Sequence, residues 1–101
     1  MAWKKIASLA DIPEYEGLKV DVDGHGIALF HVEGEVYAID DMCSHAEAHL
    51  SQGFLEDCVI ECPLHQACFD IRTGKVLSAP ATEDVNAYEA RIDGDDVLID
   101  I

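Results

Sequence analysis

Four residue pairs that end in glycine divide this sequence into short segments. Glycine supplies the positive φ that tight hairpin turns require. Between the pairs, apolar and polar residues alternate, or β-branched and aromatic residues predominate, which is typical of strands. The pairs are Asp23-Gly24, Glu33-Gly34, Thr73-Gly74 and Asp93-Gly94. The clearer predicted strands cover 18–22, 27–32, 36–39, 59–61, 88–92 and 97–101, and weaker candidates cover 3–6, 69–71 and 75–77.

The chain is predicted to be all-β. No segment keeps an apolar period of 3.6 residues over three turns, and only Ala46 to Gln52, followed by Gly53, has a composition that favours a helical turn or two. Closely spaced strands in a small chain indicate a sandwich or an open barrel, and the pattern does not choose between them. With 101 residues, we expect one domain, 1–101.

Composition and charge restrict the possible partners and compartments. Twenty-one acidic residues against six basic ones give a net charge of −15. Such a chain repels nucleic acid and anionic lipid, so we expect a basic protein partner instead. No apolar run is long enough to cross a bilayer and no export signal is evident, which predicts a cytoplasmic protein. In that reducing compartment, four cysteines indicate metal or redox chemistry more than disulfides.

Two short clusters of cysteine and histidine are the strongest chemical signal. Cys43 and His45 form the first cluster, and Cys62 and His65 form the second, after sixteen intervening residues. Each cluster lies in a loop just past a predicted strand. Two loops on neighbouring strands could therefore face each other around one metal centre with two sulfur and two nitrogen ligands.

Zinc and an iron-sulfur cluster are the two candidate metal centres. Zinc modules usually place paired ligands two to four residues apart, whereas only Ser44 separates Cys43 from His45. A [2Fe-2S] cluster offers two separate irons, one for both cysteines and one for both histidines. The spacing favours the cluster and leaves a zinc-stabilised acidic interaction module as the alternative.

The pattern C-x-H, sixteen residues, C-x-x-H resembles the signature of Rieske-type [2Fe-2S] proteins. The resemblance extends over nearly the whole chain to the small ferredoxins of bacterial aromatic-ring dioxygenases. It rests also on Glu61-Cys62-Pro63-Leu64-His65-Gln66, Phe69-Asp70, Thr73-Gly74-Lys75 and Ala79-Pro80-Ala81.

The resemblance implies a fold and a ligand set. The family fold has three small antiparallel sheets, with the cluster held by two loops at one tip. Carried over, Cys43 and Cys62 bind the inner iron, His45 and His65 bind the outer iron, and the segment around Pro80 covers the cluster. Gln66 stands where the family often has glycine, and it leaves the backbone conformation of that loop open, because Gln disfavours positive φ.

The resemblance also implies a function. The chain would be a monomeric electron carrier, not an enzyme, which takes one electron from a flavoprotein reductase and passes it to a terminal oxygenase. A cluster whose iron ligands all come from protein leaves no open position for substrate. A Rieske carrier of another pathway, such as a nitrite reductase subunit or a monooxygenase donor, is the alternative.

The same comparison predicts a low reduction potential. High-potential Rieske proteins carry an extra disulfide between the cluster loops and two hydroxyl groups that bond sulfur. Here Ala48 and Leu64 replace the two cysteines, Ala67 replaces the serine and Phe69 replaces the tyrosine. We expect a midpoint potential near the low end of the Rieske range.

The remaining histidines and cysteines are predicted to be ordinary. His49 would share a helical face with His45, but the segment is short, so we do not expect it to bind metal. His25 and His31 are expected in a turn and a strand. Cys58 and Cys68 are expected to be half-buried thiols without a disulfide.

Overall fold

The computed structural model describes residues 2–43, 48–64, 66–79 and 83–101. Ten strands account for most of the regular structure. They are β1 (Trp3–Ser8), β2 (Gly17–Val22), β3 (His25–Val32), β4 (Glu35–Asp40), β5 (Phe54–Glu56), β6 (Val59–Glu61), β7 (Cys68–Asp70), β8 (Ala87–Tyr88), β9 (Ala90–Asp93) and β10 (Asp96–Asp100).

The strands form three antiparallel sheets. The first sheet has the order β1-β10-β9, the second β2-β3-β4-β8 and the third β5-β6-β7. The predicted all-β fold with three antiparallel sheets is confirmed.

Two tight hairpins build most of the second sheet. Asp23 and Gly24 join β2 to β3 with φ values of 52° and 83°, and Glu33 and Gly34 join β3 to β4 with 50° and 79°. Two successive residues at positive φ give the turn whose twist matches that of the flanking strands. The hairpins predicted from the glycine pairs are therefore present at both positions.

Strand β3 separates two hydrophobic cores. Ile27 and Leu29 face the core shared with Val97 and Ile99 of the first sheet. The alternate residues of β3, including Phe30, face the core shared with the third sheet. Because successive side chains of a strand point to opposite sides, one strand can serve both cores, and its run of apolar residues shows no alternation.

The core that β3 shares with the third sheet also holds the cysteine-bearing loops. Its fully buried members include Ile60 of β6 and Phe69 of β7, and it also contains Cys43 and Cys62. The candidate metal centre is thus built into a core instead of being attached to the surface.

The segment predicted as one strand over 88–92 is divided between two sheets. Tyr88 of β8 pairs with Ala38 of β4, whereas Ile92 of β9 pairs with Val97 of β10. The chain changes sheet at Glu89. The apolar alternation continues through this point, so the sequence pattern does not reveal the change.

Three further expectations differ from the structure. Strand β5 is missing from the predictions, because Phe54–Glu56 contains no β-branched residue and is too short to show alternation. The segment 75–77 forms no strand, and only Val76 bridges to Phe69. The predicted helix over Ala46 to Gln52 is wrong in its described part: His49 is extended and bridges Met42, and only Leu50–Gln52 forms a 3₁₀ turn.

Within the described ranges there is no α-helix, and no helix that is long and apolar enough to span a membrane. A second 3₁₀ turn covers Leu9–Asp11.

Candidate metal centre

Two loops with the same closing hydrogen bond carry the predicted ligands. The first loop leaves β4 and the second leaves β6. The backbone N–H of Cys43 donates to the carbonyl oxygen of Ala48 at 2.9 Å, and that of Cys62 donates to the carbonyl oxygen of Ala67 at 2.7 Å. Each cysteine is therefore tied to the residue five positions later, so both loops leave and re-enter the core at closely spaced points.

The two loops bring the cysteine thiols together. Cys43 is 4% exposed and Cys62 is 0% exposed. Their thiols lie within hydrogen-bonding reach of each other, and the backbone N–H of Leu64 donates to the Cys62 sulfur. Burial raises the pKa of the Cys62 thiol, and the neighbouring Cys43 side chain adds to this rise, whereas the Leu64 N–H opposes it.

This pair of thiols fits one iron of a [2Fe-2S] cluster. Thiolates are the ligands that such clusters prefer. A bound metal deprotonates coordinating thiols outright, so a raised pKa of the metal-free thiol does not argue against ligation. The Leu64 N–H is suitably placed to stabilise negative charge on sulfur.

The predicted histidine ligands His45 and His65 lie outside the described residues, as does Pro80. In the part of the chain that is described, no three potential metal-binding side chains converge. The structure thus brings together the two predicted cysteine ligands and leaves the two histidine ligands as a prediction.

Asp41 braces the first loop, and sequence reasoning missed it. Asp41 is 1% exposed. One carboxylate oxygen lies 2.6 Å from Nδ1 of His49, and the other accepts the backbone N–H of Ser51 at 2.9 Å. The Asp41 carbonyl also accepts the N–H of Leu50 at 2.6 Å. These bonds tie the residues before Cys43 to the segment that follows the loop.

The Asp41 contact also assigns a role to His49. The carboxylate of Asp41 holds this side chain at Nδ1, and the absence of metal binding at His49 stays a prediction. The only sequence signal was the pair Asp40-Asp41, one residue before the motif, and acidic residues are usually exposed.

A second carboxylate group supports the end of β4. Oδ1 of Asp40 lies 2.8 Å from Nε2 of His25 and accepts the hydroxyl of Tyr88 at 2.7 Å, while Oδ2 accepts the N–H of Asn86 at 3.1 Å. Burial and the adjacent Asp40 carboxylate raise the pKa of Tyr88, which keeps the phenol protonated as a donor. This network joins β3, β4 and β8 just before the first loop begins.

Gln66 adopts the left-handed conformation despite its side chain. Its φ is 60°. Glycine reaches this conformation without cost, whereas other residues pay roughly 1–2 kcal/mol. The second loop therefore has the backbone that a glycine at this position would allow.

Of the other predicted residues, His25 lies at the start of β3 and not in the turn, whereas Cys58, Cys68 and His31 behave as expected. Cys58 and Cys68 are partly buried, and none of the four cysteines is in a disulfide. Nδ1 of His31 lies 2.8 Å from the carbonyl oxygen of Ile12, an ordinary structural contact.

Comparison with known proteins identifies the family. The model of the Rieske [2Fe-2S] domain matches residues 2–89. The chain belongs to the Rieske [2Fe-2S] family. It is 48% identical over 99 residues to the ferredoxin component of a naphthalene 1,2-dioxygenase system from Pseudomonas aeruginosa, covering 98% of this chain and 95% of that protein. Membership implies one [2Fe-2S] cluster per chain and sets the zinc alternative aside.

Solved structures of Rieske ferredoxins share the fold over almost their whole length. The ferredoxin of carbazole 1,9a-dioxygenase from Nocardioides aromaticivorans has a TM-score of 0.93 and 36% identity, covering 98% of this chain and 97% of that one. A ferredoxin solved in complex with the oxygenase of carbazole 1,9a-dioxygenase has a TM-score of 0.89 and 32% identity, covering 96% and 91%. The Rieske relatives are thus ferredoxin components, which carry electrons and are not themselves the catalytic enzymes.

Proposed function

We propose that this Rieske protein is the ferredoxin of a multicomponent aromatic-ring dioxygenase system, in which it passes one electron from a flavoprotein reductase to the terminal oxygenase. The observation that carries the proposal is the match with dioxygenase ferredoxin components along almost the full length of both chains. A similar ferredoxin binds the oxygenase of its own system, which supports an oxygenase as the electron acceptor here.

The proposed ligand set is Cys43 and Cys62 on one iron and His45 and His65 on the other. The two buried, facing thiols support the first pair. The histidine pair is supported by the sequence pattern, because each histidine belongs to the same loop as one of the cysteines. When bound, the cluster supplies the site for one electron, and four protein ligands leave no position for substrate.

The protein's own residues hold the site dry and position the two loops. Cys43 and Cys62 lie in a core that includes the fully buried Ile60 and Phe69, so water is kept from the cysteine side of the site. Asp41 holds the base of the first loop, and the Leu64 N–H donates to the Cys62 sulfur. A rigid, preformed site limits the structural change that accompanies gain or loss of an electron.

We propose that the charge of the chain steers its encounters with the reductase and with the oxygenase. A net charge of −15 attracts basic partner surfaces and repels a second copy, so we propose a monomer. We also propose that the chain folds as one domain over 1–101 and acts in the cytoplasm. Attraction between exposed charges weakens with added salt, because ions screen it over about 10 Å at 0.1 M.

The test is electron transfer in a stopped-flow instrument. Chemically reduced protein is mixed anaerobically with the oxygenase component of the P. aeruginosa naphthalene system, and the cluster absorbance is followed. We expect reoxidation with a second-order rate that falls as salt increases. The same protein should restore naphthalene oxidation to that system's reductase and oxygenase. The absence of electron transfer to the oxygenase, together with transfer to a nitrite reductase, would favour the other pathway.

A further inference from the structure

The third sheet has one face in the core and one face in solvent. Leu55, Ile60 and Phe69 lie opposite one another in its register, and the last two are fully buried. The next row in the register is Phe54, Glu61 and Cys68. Because neighbouring residues of a strand point to opposite sides, this row belongs to the other face, which we call the outer face of the third sheet.

The outer face combines an exposed aromatic ring with acidic side chains. Phe54 is 70% exposed, more than any other large apolar residue in the described part of the chain. A cavity of about 400 Å³ lies on this face. Its lining includes Phe54, Glu56, Asp57, Val59, Glu61 and Cys68. A large exposed aromatic ring that lines a cavity offers the kind of anchor that dominates the binding energy of interfaces.

Three carboxylates of this face are not neutralised. Among the described residues, Glu56, Asp57 and Glu61 form no ion pair. Arg72 does pair with Asp70 of β7, which lies in the same row of the register as Glu56. The lysines that form ion pairs lie on other elements, at Lys4, Lys5 and Lys19. No lysine or arginine lines the cavity, so the outer face is negatively charged around its aromatic ring.

The outer face borders the cysteine side of the metal centre. Glu61 precedes Cys62 in the chain and lies opposite Phe54 in the register. Opposed residues of an antiparallel pair have Cα atoms about 5.5 Å apart or less, and consecutive Cα atoms are about 3.8 Å apart. The Cα atoms of Phe54 and Cys62 are therefore within about 9 Å of each other, so a protein bound on this face lies next to the cluster.

We propose that the outer face of the third sheet docks the terminal oxygenase, with the Phe54 ring in an apolar depression of the partner and Glu56 and Glu61 facing lysine or arginine side chains around it. This proposal rests on the proposed function and names the surface that this function uses. Charge complementarity selects the occupant: a second copy would bring a net charge of −15 to an acidic face. The oxygenase is favoured over the reductase because a similar ferredoxin is known in complex with an oxygenase.

Phe54→Ala and Glu56→Lys test the proposal through the second-order rate of electron transfer to the naphthalene oxygenase component. Both positions lie on an edge strand, and both side chains are exposed, so the variants should fold and retain the cluster. We expect each variant to lower the rate about tenfold, since central aromatic and charged contacts dominate interface energies. Glu56→Lys should also make the rate less dependent on salt.

Two variants of the first sheet serve as matched controls. Asp95→Lys makes the same charge reversal as Glu56→Lys at the exposed β9–β10 turn, and Trp3→Ala removes another exposed aromatic side chain. Both should keep the rate within about twofold of wild type, since rim and remote changes have small effects.

The outcomes separate the docking surface from the function itself. Wild-type transfer with unchanged rates in Phe54→Ala and Glu56→Lys would overturn the docking surface and leave the function intact. Slower reduction by the reductase, with unchanged transfer to the oxygenase, would assign the face to the reductase and overturn the proposal. A dimer that Phe54→Ala dissociates in light scattering would assign the face to self-association. No transfer from wild type would reject the proposed function and the docking surface together.

Discussion

The thiols of Cys43 and Cys62 meet in one core although the two cysteines follow strands of different sheets. Cys43 follows β4 of the second sheet and Cys62 follows β6 of the third. The packing of these sheets therefore sets the distance between the two sulfurs. Stability of the core and integrity of the metal centre are expected to depend on each other.

The cysteine ligands can be distinguished from the other two cysteines by the same substitution. Cys43→Ala and Cys62→Ala should remove the native cluster and leave the chain poorly folded, because metal binding and folding are coupled. Cys58→Ala and Cys68→Ala should retain it. Iron and acid-labile sulfide per chain, with the visible spectrum, provide the measurement. If Cys58→Ala and Cys68→Ala lose the cluster while Cys43→Ala and Cys62→Ala keep it, the assignment of the cysteine ligands is wrong.

The histidine ligands are tested against His49. His45→Ala and His65→Ala should abolish the native cluster spectrum, whereas His49→Ala should keep two irons per chain, because His49 lies outside the C-x-H and C-x-x-H pattern. Electron paramagnetic resonance of the reduced protein compares the three variants. A native signal in His45→Ala and none in His49→Ala would show that the ligand assignment is wrong.

Asp41→Asn should destabilise the protein without removing a ligand. The buried carboxylate accepts the Ser51 N–H and contacts His49, so the substitution is expected to cost about 1–3 kcal/mol of unfolding free energy. Thermal unfolding followed by circular dichroism measures the loss, roughly 4–8 °C per kcal/mol for a chain of this size. Asp93→Asn, at an exposed position of β9, is the control and should change the melting temperature little. An equal change of the melting temperature in Asp41→Asn and Asp93→Asn would show that Asp41 does not brace the first loop.

Gln66→Gly should stabilise the protein. At φ 60°, glycine avoids the cost of the left-handed conformation, which exceeds the entropy that the unfolded chain gains. We expect the unfolding free energy to rise by about 0.5 kcal/mol. Gln52→Gly makes the same change in a 3₁₀ turn without positive φ, and it should lower stability. Denaturant unfolding of both variants provides the comparison, and a loss of stability in Gln66→Gly would contradict the argument.

The reduction potential should respond to hydroxyl groups added near the second loop. Ala67 and Phe69 are fully buried beside Cys62 in the same core. In Ala67→Ser and Phe69→Tyr, a hydroxyl that reaches sulfur stabilises the charge that grows on reduction, so each midpoint should rise. Ala38→Ser, in the other core, should not change it. Protein-film voltammetry should give a wild-type midpoint near the low end of the range from about −150 to +300 mV, and a value above about +100 mV would contradict the account.

The sequence predicted the hairpins and the cysteine pair because both depend on local chemistry. Gly24 and Gly34 mark turns that need positive φ, and the observed angles agree. Cys43 and Cys62 were recognisable because their spacing from the two histidines suits two irons better than one. These features require no knowledge of how the sheets pack.

Features that depend on tertiary contacts could not be predicted. The change of sheet at Glu89 interrupts no alternation, and β5 exists only because β6 offers it a partner. The burial of Asp41 and the exposure of Phe54 were also missed. Carboxylates are usually exposed and phenylalanine is usually buried, and at these two positions the packing reverses both tendencies.

Anaerobic coulometric titration of the purified protein, with iron and sulfide determined on the same sample, tests most directly that the chain carries one electron on a single [2Fe-2S] cluster. We expect two irons and two sulfides per chain and one electron taken up reversibly per chain, with the native spectrum restored on reoxidation. A colourless protein with one zinc per chain, or an iron protein that takes up no electron reversibly, would contradict this expectation.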